Sequence, residues 1–248
     1  MQQMLSHMRR AVDDYYMIAP GDQIAVGLSG GKDSLAVLAA AKALQRFYPI
    51  PFHLEAITLD MGMDGMDFSP LQEYCAKLDV PYTIEKTEIK QIVFDYRQEK
   101  NPCALCANLR RGALNTVAKS RGLNKIMLGH HYDDVIETFM LSLLFEGRIS
   151  CFSPVTYLDR MDITLLRPFI YIEEKEIKKF AERQQLPVVH NTCPADGNTK
   201  REYAKTLLSQ LEHEHRGTKQ RMFTAMRSSL PDWEILNKEP NRRKKHEN

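Results

Sequence analysis

The chain alternates between short continuous apolar runs and apolar stripes at helical spacing. Leu5, Met8, Val12, Tyr15 and Tyr16 predict one amphipathic helix over residues 4 to 18, broken by Ala19-Pro20-Gly21-Asp22. Ile24-Ala25-Val26 has the length of a buried strand, and Leu35, Val37 and Leu38 among alanines predict a helix that ends near Tyr48-Pro49. Strands are expected again at Phe52 to Leu59, Pro81 to Ile84, Ile126 to Gly129 and Ile163 to Leu166. Between them the pattern predicts a helix at Leu71 to Leu78 that buries Cys75. A second helix, 134 to 145, should turn Val135, Ile136, Phe139, Leu143 and Leu144 inward. Residues 173 to 185 read as a surface helix with acids in its first turn, as the helix dipole prefers. Leu186 to Val189 reads as extended, and helices are expected at about 198 to 213 and 217 to 228.

Strands that alternate with helices predict an α/β fold: a parallel sheet flanked by helices, with a small helical C-terminal extension. The expected organisation is an N-terminal helix (1–20), a main domain (21–190) and an extension (191–248) whose basic tail from Asn241 is disordered. A chain of 248 residues suffices for one large core. No apolar run approaches the roughly 20 residues needed to span a bilayer, and the N-terminus lacks a signal-type apolar core. A cytoplasmic protein without membrane contact is expected. Five cysteines, an odd number, argue against a disulfide framework. A net charge of +2 confines any nucleic-acid site to a local patch.

The most informative stretch joins the first strand to its helix: Ser29-Gly30-Gly31-Lys32-Asp33-Ser34. A strand, a glycine turn and a helix N-terminus present backbone N–H groups without helical partners, at the positive end of the helix dipole. An anion is the natural ligand. Glycine permits close approach and positive φ. Lys32 adds charge, and Ser29 and Ser34 add hydroxyl donors. Asp33 would repel phosphate unless it holds a cation such as Mg²⁺ or takes part in the chemistry. The spacing is neither that of the usual phosphate-binding loop nor that of the dinucleotide fingerprint. It resembles the PP-loop of the ATP-pyrophosphatase superfamily, which cleaves ATP between the α- and β-phosphates.

Asp60 ends the second strand and His130-His131-Tyr132-Asp133-Asp134 ends the fourth, at the sheet edge where ligands bind in open α/β folds. Asp60 could serve the nucleotide or simply face water. The methionines of 61 to 68 read as flexible packing rather than a metal site. Pro102-Cys103-Ala104-Leu105-Cys106 precedes a helix carrying Arg110 and Arg111, which would stabilise thiolates. Such a pair fits a redox couple, half a zinc site, part of an iron–sulfur site or two ordinary thiols. Cys193 stands before Pro194, as in some cluster-binding runs, and His190 could complete a zinc site. Cys75 and Cys151 read as packing residues.

Together the PP-loop, the Pro102–Gly112 segment, the Leu128–Thr138 segment and Cys193 resemble the tRNA 2-thiocytidine synthetase family over roughly residues 5 to 210. The resemblance implies an adenine-nucleotide α-hydrolase-like fold and an ATP- and Mg²⁺-dependent tRNA thiolase. It implies a [4Fe–4S] cluster on Cys103, Cys106 and Cys193, with Ser29, Gly30, Gly31, Lys32, Asp33 and Ser34 on the pyrophosphate. It also implies Gly129 and His130 at the ATP, and Asp33, Arg110 and Asp133 or Asp134 in the chemistry. The implied partners are tRNA, with a cytidine of the anticodon loop as target, and a sulfur donor, either a cysteine desulfurase or inorganic sulfide. A homodimer is a further implied state. The sequence departs from many members in lacking a second C-x-x-C around Cys193.

Basic candidates for tRNA contact are Arg110, Arg111, Lys119, Arg121, Lys200, Arg201, Arg216, Lys219, Arg221 and Arg227. Two other readings remain open at this level. One is a lysidine-synthetase-like or amide-forming ligase with structural zinc. The other is a non-catalytic nucleotide or redox sensor.

Overall fold

A computed structural model describes residues 2–97, 102–189 and 200–235. Cys193 and His190, and the tail beyond 235, lie outside the described residues. Helix α1 (Gln2–Asp14) leads into strand β1 (Gln23–Gly27) and helix α2 (Lys32–Gln45). Strand β2 (His53–Asp60), helix α3 (Ser69–Lys77), strand β3 (Tyr82–Lys86) and a π-helical turn (Gln91–Arg97) follow. Helix α4 (Pro102–Ser120) feeds strand β4 (Lys125–Met127) and helix α5 (Tyr132–Leu141). Strands β5 (Val155–Leu158) and β6 (Ile163–Leu166) precede helices α6 (Glu174–Arg183), α7 (Lys200–Glu214) and α8 (Thr218–Ser229).

The six strands form one sheet in the order β3-β2-β1-β4-β6-β5. All neighbours pair in parallel except the β5–β6 hairpin, which is antiparallel and caps one edge. The parallel strands β1, β2, β4 and β6 are largely buried, with β3 as an exposed edge, and their side chains divide between two cores. Ile24 and Val26 join the larger one with α2, whose Leu35, Val37, Leu38 and Leu44 are fully buried. Ala25, Ile57, Ile126 and Leu165 meet Val117 and Ala118 of α4 in the smaller one. β1 and β4 are central neighbours, so the segments that follow them emerge side by side at one sheet edge.

Three expectations need correction. Helix α1 stops at Asp14, and Tyr16, at φ 45° and 60% exposed, is not on its buried face. The helix expected over 134 to 145 is regular only to Leu141 and continues as a π-helical turn, Ser142–Glu146. That wider turn shifts the side-chain stripe beyond Leu141, so Leu143 and Leu144 are exposed, and within the regular part Glu137 is buried as well. Strand β5 gave too little alternation in sequence to be seen; it forms because β6 offers it an edge. Among the described residues no helix is long and apolar enough to cross a membrane.

Candidate active site

The glycine turn between β1 and α2 is held by its own hydroxyls. Ser34 Oγ donates to the Gly31 carbonyl at 3.0 Å and accepts from the Ser29 N–H at 3.1 Å. Ser29 Oγ lies 3.1 Å from Ser34 Oγ and accepts from the Gly31 N–H at 3.4 Å. Both serines therefore shape the turn as well as edge the cleft. Gly31 caps α2 without a side-chain bond, which leaves first-turn N–H groups for a ligand. Gly30 takes φ +85°, and a side chain there would meet Val189 at 3.1 Å. The Val189 N–H donates to the Gly30 carbonyl at 3.0 Å, tying the segment after α6 to the turn.

Gly129 brings the end of β4 against this turn. A Cβ on it would stand 3.1 Å from both the Asp33 carbonyl carbon and the Ser34 nitrogen. Beyond it His131 caps α5 in a reciprocal box: its Nδ1 accepts from the Asp134 N–H, and its own N–H donates to Asp134 Oδ2 at 3.0 Å. Asp134 faces the cleft and is 3.5 Å from Arg201 of α7. Asp133 points elsewhere: it accepts from the Glu174 N–H at 2.8 Å and from Lys219 at 2.7 Å. Burial works to raise its carboxyl, but those two donors outweigh burial and hold it below the usual range. His130 lines the cleft with its ring on Phe152, centroids 4.9 Å apart. Burial, with the Arg167 charge nearby, pushes its pKa down to about 4, so the imidazole is neutral at pH 7.

These elements enclose a cleft of about 580 Å³. Its walls include Ser29, Gly31, Asp33 and Ser34 of the turn, Gly129, His130 and Asp134 of the β4 edge, and Arg110 and Arg111 of α4. Leu59, Met61, Met63, Met66 and Phe68 add an apolar side, in keeping with the packing role expected of these methionines. Gly30, Lys32 and Asp60 are beside the cleft but not in its wall; Asp60 accepts from the Gly62 N–H at 2.9 Å. Lys32 bonds Asp33 at 3.1 Å and Glu174 at 3.0 Å. Cys103 and Cys106 do not precede the helix but stand in the first and second turns of α4. At 100° per residue they share the helix side of Ala107, Arg110 and Leu114, all cleft residues.

Several contributors were not legible as such in sequence. Asn115 is 6% exposed and lines the cleft, and its Oδ1 has no hydrogen-bond partner among the described residues. Glu137 is buried against Arg201 at 3.2 Å, and burial raises its pKa to about 7. Glu174 is not a plain surface acid: burial alone would raise its carboxyl, yet bonds from Lys205 and Lys32 bring it down to about 2. Of the basic residues offered for RNA, Arg201 and Lys219 neutralise acids at the site. Arg121 pairs with Glu55, and Lys119 pairs with Asp162 at 3.0 Å, both at the end of α4 away from Arg110. Cys75 is fully buried, and Cys151 Sγ donates to the Val135 carbonyl, as packing residues would.

Residues 4–211 match the family model of the PP-loop domain. Over 225 residues the chain is 36% identical to a tRNA-cytidine(32) 2-sulfurtransferase of Geobacter sulfurreducens, covering 90% of this chain and 88% of that one. It is 39% identical over 223 residues to the protein of that name from Aliivibrio fischeri, covering 89% and 73%. In structure it is similar to the U34-tRNA thiolase NcsA from Methanococcus maripaludis with its [4Fe-4S] cluster. The TM-score is 0.73 at 24% identity, covering 90% of this chain and 77% of that one, which bears on the fold.

Proposed function

The chain belongs to the PP-loop domain family and, within it, to the tRNA-cytidine(32) 2-sulfurtransferases, and from this premise we propose that it adenylates the C2 oxygen of cytidine 32 in tRNA and replaces it with sulfur. The observation that carries the mechanism is the shared cleft. The PP-loop turn, Asp134 and His130 face the side of α4 that bears Arg110 and, one to two turns earlier, Cys106 and Cys103.

The residues present fit the groups this reaction needs. Free N–H groups at the start of α2 and a glycine turn suit a pyrophosphate. Asp33 Oδ1 is buried and has no hydrogen-bond partner among the described residues, which suits a Mg²⁺ carried in with ATP. Among the described residues no three His, Cys, Asp or Glu side chains converge on a metal, so ATP phosphates and water would complete that ion's shell. Cys103 and Cys106 sit near the start of α4, three residues apart and so one turn from each other, a spacing that lets one metal centre take both sulfurs. Cys193 follows four residues after Val189, whose N–H is bonded to Gly30; a chain of that length reaches at most about 14 Å from Val189 Cα. Held by Cys103, Cys106 and Cys193, a [4Fe–4S] cluster would supply an iron with no protein ligand, open to hydrosulfide.

The protein's own part follows from charge. The C2 oxygen attacks the α-phosphorus, the P–O bond to pyrophosphate breaks, and negative charge grows on the leaving group at the α2 N-terminus. Arg110, on the opposite wall, is placed to meet the charge of the adenylated intermediate. Hydrosulfide then attacks C2, the C2–O bond breaks, AMP departs and one proton is released. His130, neutral and half-buried, shapes the pocket without adding charge. Phe152 keeps its ring in place.

Mass spectrometry of tRNA nucleosides from cells lacking the protein tests the assignment. Loss of 2-thiocytidine is expected, and its persistence would sink the reading. Cys193→Ala should abolish thiolation and the brown iron–sulfur absorbance of anaerobically purified protein. A variant active with its absorbance intact would refute the ligand set.

A further inference from the structure

Lys32 opens α2 at the PP-loop, yet it is absent from the cleft wall. Its Nζ lies 3.0 Å from Glu174 Oε1 and 3.1 Å from Asp33 Oδ2. The second oxygen of the same carboxylate, Oε2, is 3.0 Å from Lys205 Nζ on α7. The backbone of Glu174 is itself anchored, because its N–H donates to Asp133 Oδ2 at the base of α5. One ionised carboxylate thus stands on a fixed stem between two ammonium groups that belong to different parts of the chain.

We infer that Glu174 is a positioning residue that retains Lys32 beside the cleft until a polyphosphate draws it away, and that Lys205 sets how firmly it is retained. This rests on the reading that the Ser29–Ser34 turn binds the polyphosphate of ATP. A pyrophosphate brings more negative charge than one carboxylate and sits where the α2 N–H groups already point, so it can win the lysine by competition. Protonation is no alternative route of release, because the two lysines keep Glu174 ionised at any working pH. When Lys32 leaves, Lys205 keeps its bond to Glu174, so α6 and α7 remain joined while the turn is occupied. Lys205 also draws charge from Glu174 in the empty enzyme, which weakens the hold on Lys32. The two side chains should therefore act on pyrophosphate affinity with opposite sign, an effect that loss of structure cannot imitate.

Isothermal titration calorimetry of the full-length, anaerobically purified protein with inorganic pyrophosphate tests this. Glu174→Gln removes the competing charge but keeps the backbone anchor; it should tighten binding by about three- to tenfold. Lys205→Met should weaken it by about two- to fivefold, and the double variant should match Glu174→Gln alone. In a Lys32→Met background Glu174→Gln should have no effect. If Glu174→Gln misfolds, Glu174→Asp, too short to reach both lysines, should tighten binding likewise. Weaker or unchanged binding in the Glu174 variants, or a Lys205 effect of the same sign, would overturn the proposal. Absence of both pyrophosphate and ATP binding in the wild type would instead overturn the reading of the turn itself, and this proposal with it.

Discussion

His130 is a titratable ring set half-buried into the wall of the cleft. Its Nδ1 has no hydrogen-bond partner among the described residues, Phe152 covers one face, and Arg167 discourages a second positive charge. Its folded pKa of about 4 lies below the ordinary 6.5. Folding then favours the neutral ring, so the stabilisation is complete above pH 6.5 and is lost as pH falls from there through about 4. At about 1.4 kcal/mol for each pH interval of one, the loss is at most about 3.5 kcal/mol. Denaturant unfolding between pH 7.5 and 4 should show this decline, and His130→Asn should flatten that part of the curve. An identical pH dependence in the two proteins would mean that His130 titrates alike in the folded and unfolded states. Glu137 acts in the opposite sense: its raised pKa makes the fold lose stability as pH rises from about 4.5 through about 7.

The C-terminal elements have a structural task that their sequence scarcely advertises. Trp233, 1% exposed in a short 3₁₀ turn after α8, stands edge-on to Tyr15 and to Phe223. Its indole N–H donates to the Phe152 carbonyl at 3.2 Å, and Phe152 covers His130. The last described turn thus reaches both the first helix and the β4 edge. Trp233→Ala should cost about 3–5 kcal/mol in unfolding free energy, as large-to-small core changes do. It should also raise the His130 pKa, readable by NMR titration, because the covering ring loses its anchor. A cost under about 1 kcal/mol would show that α8 is an appendage.

For the molecule as a whole, charge is distributed by location rather than by total. With 34 basic and 32 acidic residues there is little net field, and several lysines and arginines already answer acids at the site. Arg110 and Arg111 are the basic side chains that line the cleft itself. If the tRNA backbone passes over α4, each of these variants to Ala should weaken tRNA binding and lower the log–log salt slope by about 1. Filter binding at several salt concentrations measures it. An unchanged slope would put the RNA path elsewhere.

Local pattern alone was enough for most elements here, because buried strands and amphipathic helices must display their periodicities whatever surrounds them. The glycine turn, the α2 helix and the adjacency of Gly129 to a ligand edge follow from such short-range rules, and so does the expectation of an anion site. What the chain's order could not convey was the pairing of distant charges: Lys32 with Glu174, Asp133 with Lys219, Asp134 with Arg201. Nor could it tell which of two adjacent aspartates faces the cleft, or that Asn115 would be buried there. Those choices depend on rotation about a helix axis and on contacts tens to more than a hundred residues apart, and only the closed fold sets them.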